Sequence, residues 1–117
     1  MVCDRDPSLS RTARTLIEDP SNERLLSIAS PWEMAIKLGT GKLKLTEPLD
    51  QFLTDQLSLN LIGLLPITVA HVAMLVKLPL HHRDPFDRLI VGQAMVEHLE
   101  VLSIDSELDQ YSISRRW

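Results

Sequence analysis

Short apolar segments alternate with helical patterns along this chain, and this alternation restricts its fold more than any other feature. Residues 24–29, 61–67 and 101–104 have the length and composition of buried strands, and a short last strand is predicted at 111–115. Parallel neighbours in a sheet need long crossover connections, which are usually helices. We therefore predict an α/β fold, in which helices cover both faces of a short parallel sheet.

Residues that cap or break helices mark the predicted helix boundaries. Ser30, Thr68 and Asp84 precede helical patterns and belong to the types that cap helix N-termini. Prolines and glycines close several of the same patterns. Helices are predicted from residues 6–8 to 19, 30 to 38, 48 to 57, 68 to 76 and 84 to 100, with one helical turn at 106–110.

Composition narrows the class of protein. A length of 117 residues suits one domain spanning 1–117, and 44% hydrophobic with 24% charged residues is typical of a globular chain. The net charge of -4 argues against a simple nucleic-acid-binding module but not against a nuclease that recruits cations as metal ions. A single cysteine, Cys3, excludes an internal disulfide and fits a cytoplasmic location, and no membrane span is predicted.

Carboxylates stand at the beginnings of helices in three places. These residues are Glu33, Asp84, Asp87 and Asp105. In an open parallel sheet, ligands bind beyond the carboxyl ends of the strands, and carboxylates gathered there repel one another unless a cation lies between them. Mg²⁺ or Mn²⁺ prefers such oxygen ligands and promotes phosphodiester cleavage. The pattern therefore favours a divalent-metal site.

Each carboxylate also has a purely local explanation. Ser30 and Glu33 match a capping box, Asp84 and Asp105 fit as N-caps, and Asp87 in a first turn favours the helix dipole. Spacing alone does not separate these roles from metal binding. A zinc site at residues 81–84 lacks a partner cluster and is not favoured.

Three stretches of the sequence resemble PIN-domain toxins of the VapC type. They are SIASPWEMAIKLGTGKLKL, LPITVAHVAMLVKLPLHHRDPFDRLIVGQAM and VLSIDSELDQYSI, and the similarity runs from about residue 8 to 117. The resemblance implies a PIN-like three-layer α/β/α fold. It also implies a Mg²⁺-dependent endoribonuclease that cuts structured RNA such as tRNA or rRNA, a cognate antitoxin and a homodimer. Glu33, Asp87 and Asp105 match the family's acidic positions, and Asp84 is a supporting residue or a further metal ligand.

The sequence departs from the family at its N-terminus. Family members begin with an apolar strand ending in an aspartate, and here roughly 20 residues of strand and helix are missing. Asp4 and Asp6 have no preceding apolar strand, so the chain reads as N-terminally truncated. Loss of a central strand predicts that the sheet closes the gap, accepts a strand from another chain or is unstable.

Two other interpretations stay open from the sequence alone. The chain is either a ribonuclease, active only if the missing segment is present in the natural product, or a catalytically silent PIN-domain remnant that serves as an antitoxin-binding or dimerisation module. A more distant alternative is an unrelated protein-binding α/β module whose acidic residues are all helix caps. The upstream genomic sequence separates the first two interpretations, because an in-frame apolar strand ending in an aspartate supports the enzyme and a stop codon supports the remnant.

Overall fold

Helices and strands alternate along residues 1–3, 10–79 and 84–117, the parts of the chain that a computed structural model describes. The strands are β1 (Val2–Cys3), β2 (Leu25–Ser27), β3 (Gly63–Leu65), β4 (Val101–Leu102) and β5 (Arg115–Arg116). The α-helices are α1 (Arg11–Glu18), α2 (Ala29–Gly39), α3 (Leu49–Asn60), α4 (Val69–Met74) and α5 (Pro85–Glu97). Two 3₁₀ segments, Leu75–Lys77 and Ser106–Gln110, complete these elements.

The described strands form one five-stranded sheet in the order β3-β2-β1-β4-β5. Every pairing in it is parallel. The alternation of strands and helices therefore predicted the sheet type correctly, although the strands are two or three residues long and shorter than expected. The last strand was predicted at 111–115 and forms at Arg115–Arg116 instead.

The central position of the sheet is filled by β1, which corresponds to the first of the three expected outcomes, closure of the gap by the sheet. Val2 pairs with Leu25 on one side and with Val101 on the other, and Cys3 continues both pairings. The Val2 amide also donates to the Glu100 carbonyl at 2.8 Å. The chain's own residues close the gap, so Asp4 does follow a strand in the sequence. Asp4 and Asp6 themselves lie outside the described residues.

Side chains of β4 point into two separate cores, which gives the protein three layers. Val101 packs in the larger cluster with α5 residues such as Ile90 and Val91. Leu102 points the other way and packs with Ala13 of α1. Because successive residues of a strand face opposite sides, helices must cover both faces of the sheet. The predicted three-layer α/β/α architecture is confirmed.

Capping explains some helix boundaries and not others. Thr68 caps α4, as its position predicted, and it also forms a reciprocal capping box with His71. The first described helix begins later than predicted, with Ser10 as its N-cap. The prediction that Ser30 caps the next helix is wrong, because α2 already begins at Ala29 and has no side-chain cap at Ile28.

The apolar stretch at 61–67 forms an edge strand and not the buried strand that its composition predicted. Leu61 and Leu64 are 75% and 47% exposed, and among the described strands β3 pairs only with β2. Its preceding helix, α3, buries none of its residues. Across the described ranges, every helix is too short or too polar to cross a membrane.

Candidate functional site

The strand order creates a topological switch point at the carboxyl edge of the sheet. From β1 the chain passes to β2 and β3 on one side, and later to β4 and β5 on the other. The connections therefore diverge between β1 and β4, and open α/β sheets bind ligands at such a point. Asp105 follows β4 by three residues, whereas Glu33 lies in the helix that follows β2.

Glu33 is not explained by helix capping. Ser30 lies inside α2, so the capping box predicted for this pair does not form. Instead, the Glu33 Oε2 atom lies 3.8 Å from the Lys37 Nζ atom one turn later. Both side chains are partly exposed, and ion pairs of this kind contribute little to stability. Glu33 therefore does not cap the start of α2, and this alternative role is excluded.

Asp84 is the N-cap of α5, as its sequence position predicted. Its Oδ1 atom accepts hydrogen bonds from the backbone amides of Phe86 at 2.9 Å and Asp87 at 3.3 Å. Pro85 occupies the first helical position, where a missing amide proton costs nothing. Asp87 lies in the first turn of the same helix and is partly buried. Asp84 therefore fixes the backbone from which the Asp87 side chain projects.

Asp105 caps the 3₁₀ segment that follows β4. Its Oδ1 atom accepts from the Glu107 amide at 3.0 Å, and its own amide donates to the Oγ atom of buried Ser103 at 3.1 Å. The cap prediction is confirmed, and it leaves the metal-binding prediction for Asp105 untested.

Arg115 supplies positive charge close to this loop. Its guanidinium donates two hydrogen bonds to Asp109, at 2.8 and 3.1 Å, which hold the pKa of the Asp109 carboxyl below its usual value. The same bonds, followed by the charges of Asp109 and Asp105, raise the pKa of Arg115. Arg115 also donates to the Ser103 carbonyl at 3.0 Å. The arginine therefore holds the loop beyond β4 and offsets part of its negative charge.

An aromatic contact brings together the helices that carry Glu33 and Asp87. The rings of Trp32 and Phe86 meet edge to face, with centroids 5.1 Å apart and an angle of 89° between their planes. Each ring belongs to the residue directly before one of the two carboxylates. Aromatic pairs favour this geometry. The first turns of α2 and α5 are therefore neighbours.

Beneath this aromatic contact, a buried polar cluster joins α5 to the carboxyl ends of β2 and β3. Ser27 donates its hydroxyl proton to the Gln93 Oε1 atom, and both side chains are fully buried. The Gln93 amide group donates to the carbonyls of Leu65 at 3.4 Å and Pro66 at 3.2 Å. The Ser27 Oγ atom accepts from the Ala29 amide at 3.1 Å. This cluster fixes α5 relative to the start of α2.

The donor chemistry fits a hard divalent cation, but a complete set of ligands is not grouped among the described residues. Within residues 1–3, 10–79 and 84–117, no three His, Cys, Asp or Glu side chains lie close enough together to hold a metal ion. Glu33, Asp87 and Asp105 therefore do not form such a trio by themselves. Their carboxylates remain the oxygen donors that Mg²⁺ prefers. Asp4, the residue after β1, lies outside the described residues, as do His81 and His82 of the zinc site that the sequence did not favour.

Two basic residues have structural roles. His71 is fully buried, its Nδ1 atom accepts from the Thr68 amide at 3.0 Å, and its Nε2 atom lies 3.0 Å from the Glu97 Oε1 atom. Arg88 donates to the carbonyls of Pro79 at 2.9 Å and Leu75 at 3.2 Å. The sequence predicted a core role for His71, whereas the anchoring role of Arg88 was not predicted.

Comparison with known proteins identifies the family. The PIN domain profile matches residues 1–113. The chain belongs to the PIN domain family. This PIN domain is 37% identical over 71 residues to Ribonuclease VapC16 of Mycobacterium tuberculosis, a match that covers 57% of this chain and 49% of that protein. The PIN domain therefore spans about half the length of this curated relative.

A solved structure supports the same fold. The PIN domain resembles a chain in the crystal structure of VapBC2 from Rickettsia felis bound to a DNA fragment from their promoter, with a TM-score of 0.65 and 15% identity. The match covers 88% of this chain and 79% of that chain. At this level of identity the likeness concerns the fold.

Sequence reasoning missed Ser27 and Gln93. Gln93 is a polar residue within the apolar run IVGQAM, a pattern that predicts burial with hydrogen-bond partners. The sequence contains that signal, but it does not identify Ser27 as the partner, because the two residues are 66 positions apart.

Proposed function

We propose that this PIN-domain protein is a metal-dependent endoribonuclease toxin of the VapC type that hydrolyses RNA phosphodiesters. The observation that carries the proposal is the contact between the first turns of α2 and α5, which places the segments bearing Glu33 and Asp87 side by side. Capping explains the position of Asp84 but not that of Glu33. The similarity to a protein named as a ribonuclease supports the same reaction class.

In this proposal, Glu33, Asp87 and Asp105 would hold Mg²⁺, or Mn²⁺, or its waters, and Asp84 supports them by capping α5. The metal supplies charge stabilisation and an acidified water for attack on phosphorus. Lys37 balances part of the charge on Glu33, and Arg115 does the same beside Asp105. The proposed substrate is structured RNA such as tRNA or rRNA.

The proposed partners are a cognate antitoxin protein and a second copy of the chain. A relative of the same fold occurs in a complex titled VapBC2, which supports an antitoxin partner. We assign the protein to the cytoplasm, because its RNA substrates and a reducing environment are found there.

A second candidate function is a catalytically silent module that binds the antitoxin or another copy of itself. Val69, Val72 and Val76 favour it, because they recur at helical spacing and are 86%, 50% and 89% exposed. Apolar side chains aligned on one exposed face are typical of a protein-binding surface. This surface is compatible with the ribonuclease and becomes the whole function only if the carboxylates are inert.

Asp87→Asn tests the assigned site. We expect Mg²⁺-dependent cleavage of total RNA to fall at least about 100-fold, since the substitution removes a ligand charge and not only a supporting contact. Asp50→Asn is the matched control, because Asp50 also lies in the first turn of a helix but on exposed α3. Circular dichroism verifies that both variants are folded. Equal cleavage by the two variants would show that Asp87 is not part of the site.

We further propose that this chain binds Mg²⁺ weakly when no RNA is present, because the described carboxylates do not form a group of three. Titration calorimetry with Mg²⁺ measures the affinity directly. Tight binding with one ion per chain would contradict the proposal. Repeating that titration with Asp4→Asn would then show whether the aspartate after β1 completes the site.

A further inference from the structure

Trp32 is half exposed although it is one of the largest apolar side chains in the protein. Its exposed fraction is 51%, and it lies in the first turns of α2, directly before Glu33. A tryptophan left in solvent contributes little to the core. Because it lies at the edge of the proposed site, we infer that the indole contacts a ligand.

The indole is held in place from one side. Its edge-to-face partner, Phe86, packs against the main hydrophobic core and directly precedes Asp87. The contact restricts the orientation of the indole before any ligand arrives. A side chain that is already ordered loses less conformational entropy on binding. Trp32 is therefore a rigid aromatic surface between the two segments that carry the proposed catalytic carboxylates.

Charge alone gives this protein little attraction for RNA. The chain carries 12 Lys and Arg residues against 16 Asp and Glu residues. Close to the indole, Lys37 is paired with Glu33. Affinity for a polyanion must then come partly from contacts that do not depend on charge. Stacking of nucleobases on aromatic side chains is such a contact, and it requires bases that are free of a duplex.

We propose that Trp32 is a stacking platform for an unpaired nucleobase next to the phosphodiester that the carboxylates address. The inference rests on the proposed function and adds to it a residue that positions the substrate. Base-paired RNA does not fit this platform, because its base faces are already covered by neighbouring pairs. Ile36, one turn later and 47% exposed, extends the apolar surface but offers no aromatic face.

The experiment uses Trp117→Phe protein, in which Trp32 is the sole tryptophan. It is titrated with a short oligo(A) in EDTA, so that binding is measured without cleavage. We expect saturable quenching of Trp32 fluorescence. In anisotropy measurements with labelled oligo(A), adding Trp32→Leu weakens binding roughly 5- to 150-fold, the range for loss of one stacked base. Trp32→Phe retains most of the affinity, and Ile36→Ala is the control on the same helix face.

Several outcomes would overturn the proposal. Oligonucleotides with abasic positions that bind as tightly as oligo(A) would show that no base stacks. Unchanged affinity in the folded Trp32→Leu variant would exclude the indole. If that variant altered only the oligomeric state, measured by sedimentation, the surface would be a protein contact. Because these assays contain no Mg²⁺, they separate failure of the stacking proposal from failure of the nuclease proposal, which the Asp87→Asn cleavage assay tests.

Discussion

Removing either partner of the buried Ser27–Gln93 hydrogen bond is expected to destabilise the fold strongly. Ser27→Ala leaves the Gln93 Oε1 atom and the Ala29 amide without their partner, and both are buried. Each buried polar group left unsatisfied costs about 1–3 kcal/mol. We therefore expect a loss of about 2–4 kcal/mol, a large part of the 5–15 kcal/mol typical of a domain.

Gln93→Met removes three hydrogen bonds while keeping a similar volume. It orphans the Ser27 hydroxyl and withdraws the donor from the carbonyls of Leu65 and Pro66. The expected loss is about 2–5 kcal/mol. In the double variant the Ser27 hydroxyl no longer exists, so its penalty is absent. The double loss should fall short of the sum of the single losses by about 1–2 kcal/mol.

Urea unfolding followed by circular dichroism measures all four proteins of this double-mutant cycle. The midpoints should shift while the slope of free energy against urea stays constant. If the losses of the two single variants add up to the loss of the double variant within about 0.5 kcal/mol, the reasoning is refuted, because independent sites behave that way. Losses below about 0.5 kcal/mol for both single variants would show that the cluster is hydrated and not sealed from solvent.

Substitutions at three further positions test other contacts by the same unfolding assay. His71→Ala should cost about 2–4 kcal/mol, since it leaves a cavity and unpairs the Thr68 amide, and a near-neutral result would exclude the buried role. Asp109→Asn should destabilise at neutral pH, and the difference should vanish well below pH 3.8, because Arg115 lowers the pKa of Asp109 and that contribution is lost as the carboxyl protonates. A difference independent of pH would contradict this cause. Gly92→Val should cost about 1–3 kcal/mol, as even a Cβ there lies 3.2 Å from a backbone oxygen of α4, while Gly92→Ala is milder because alanine favours helix.

Local features of the fold were predictable because their causes lie within one turn of chain. Thr68, Asp84 and Asp105 each accept hydrogen bonds from backbone amides two or three residues later, as their types suggested. Ser30 was assigned wrongly for a related reason. The hydroxyl of Ser27 already accepts from the Ala29 amide, so the helix starts before Ser30 is reached. Ser27 was not predicted to do this because it was assigned to a strand.

Features that depend on distant partners were not predictable. Val2–Cys3 belongs to an apolar stretch of three residues, which is too short to predict a strand. The strand exists because β2 and β4 present unpaired backbone groups on both sides. The exposure of Leu64 likewise depends on the absence of a further strand beside β3 in the described sheet. For the site, the sequence named carboxylates of the right chemistry. The sequence could not show that Trp32 and Phe86 bring into contact two of the helices that carry these carboxylates.

The pairing of β1 with β4 has a consequence for how the protein is made. Val2 leaves the ribosome well before its partner, Val101, which is synthesised 99 positions later. Until then, one edge of the future middle strand has no native neighbour. Joining segments so far apart carries a high loop-closure cost and slows folding. A nascent chain of this type is therefore exposed to edge-to-edge association during translation, and a binding partner or chaperone that covers that edge would raise its yield of native protein.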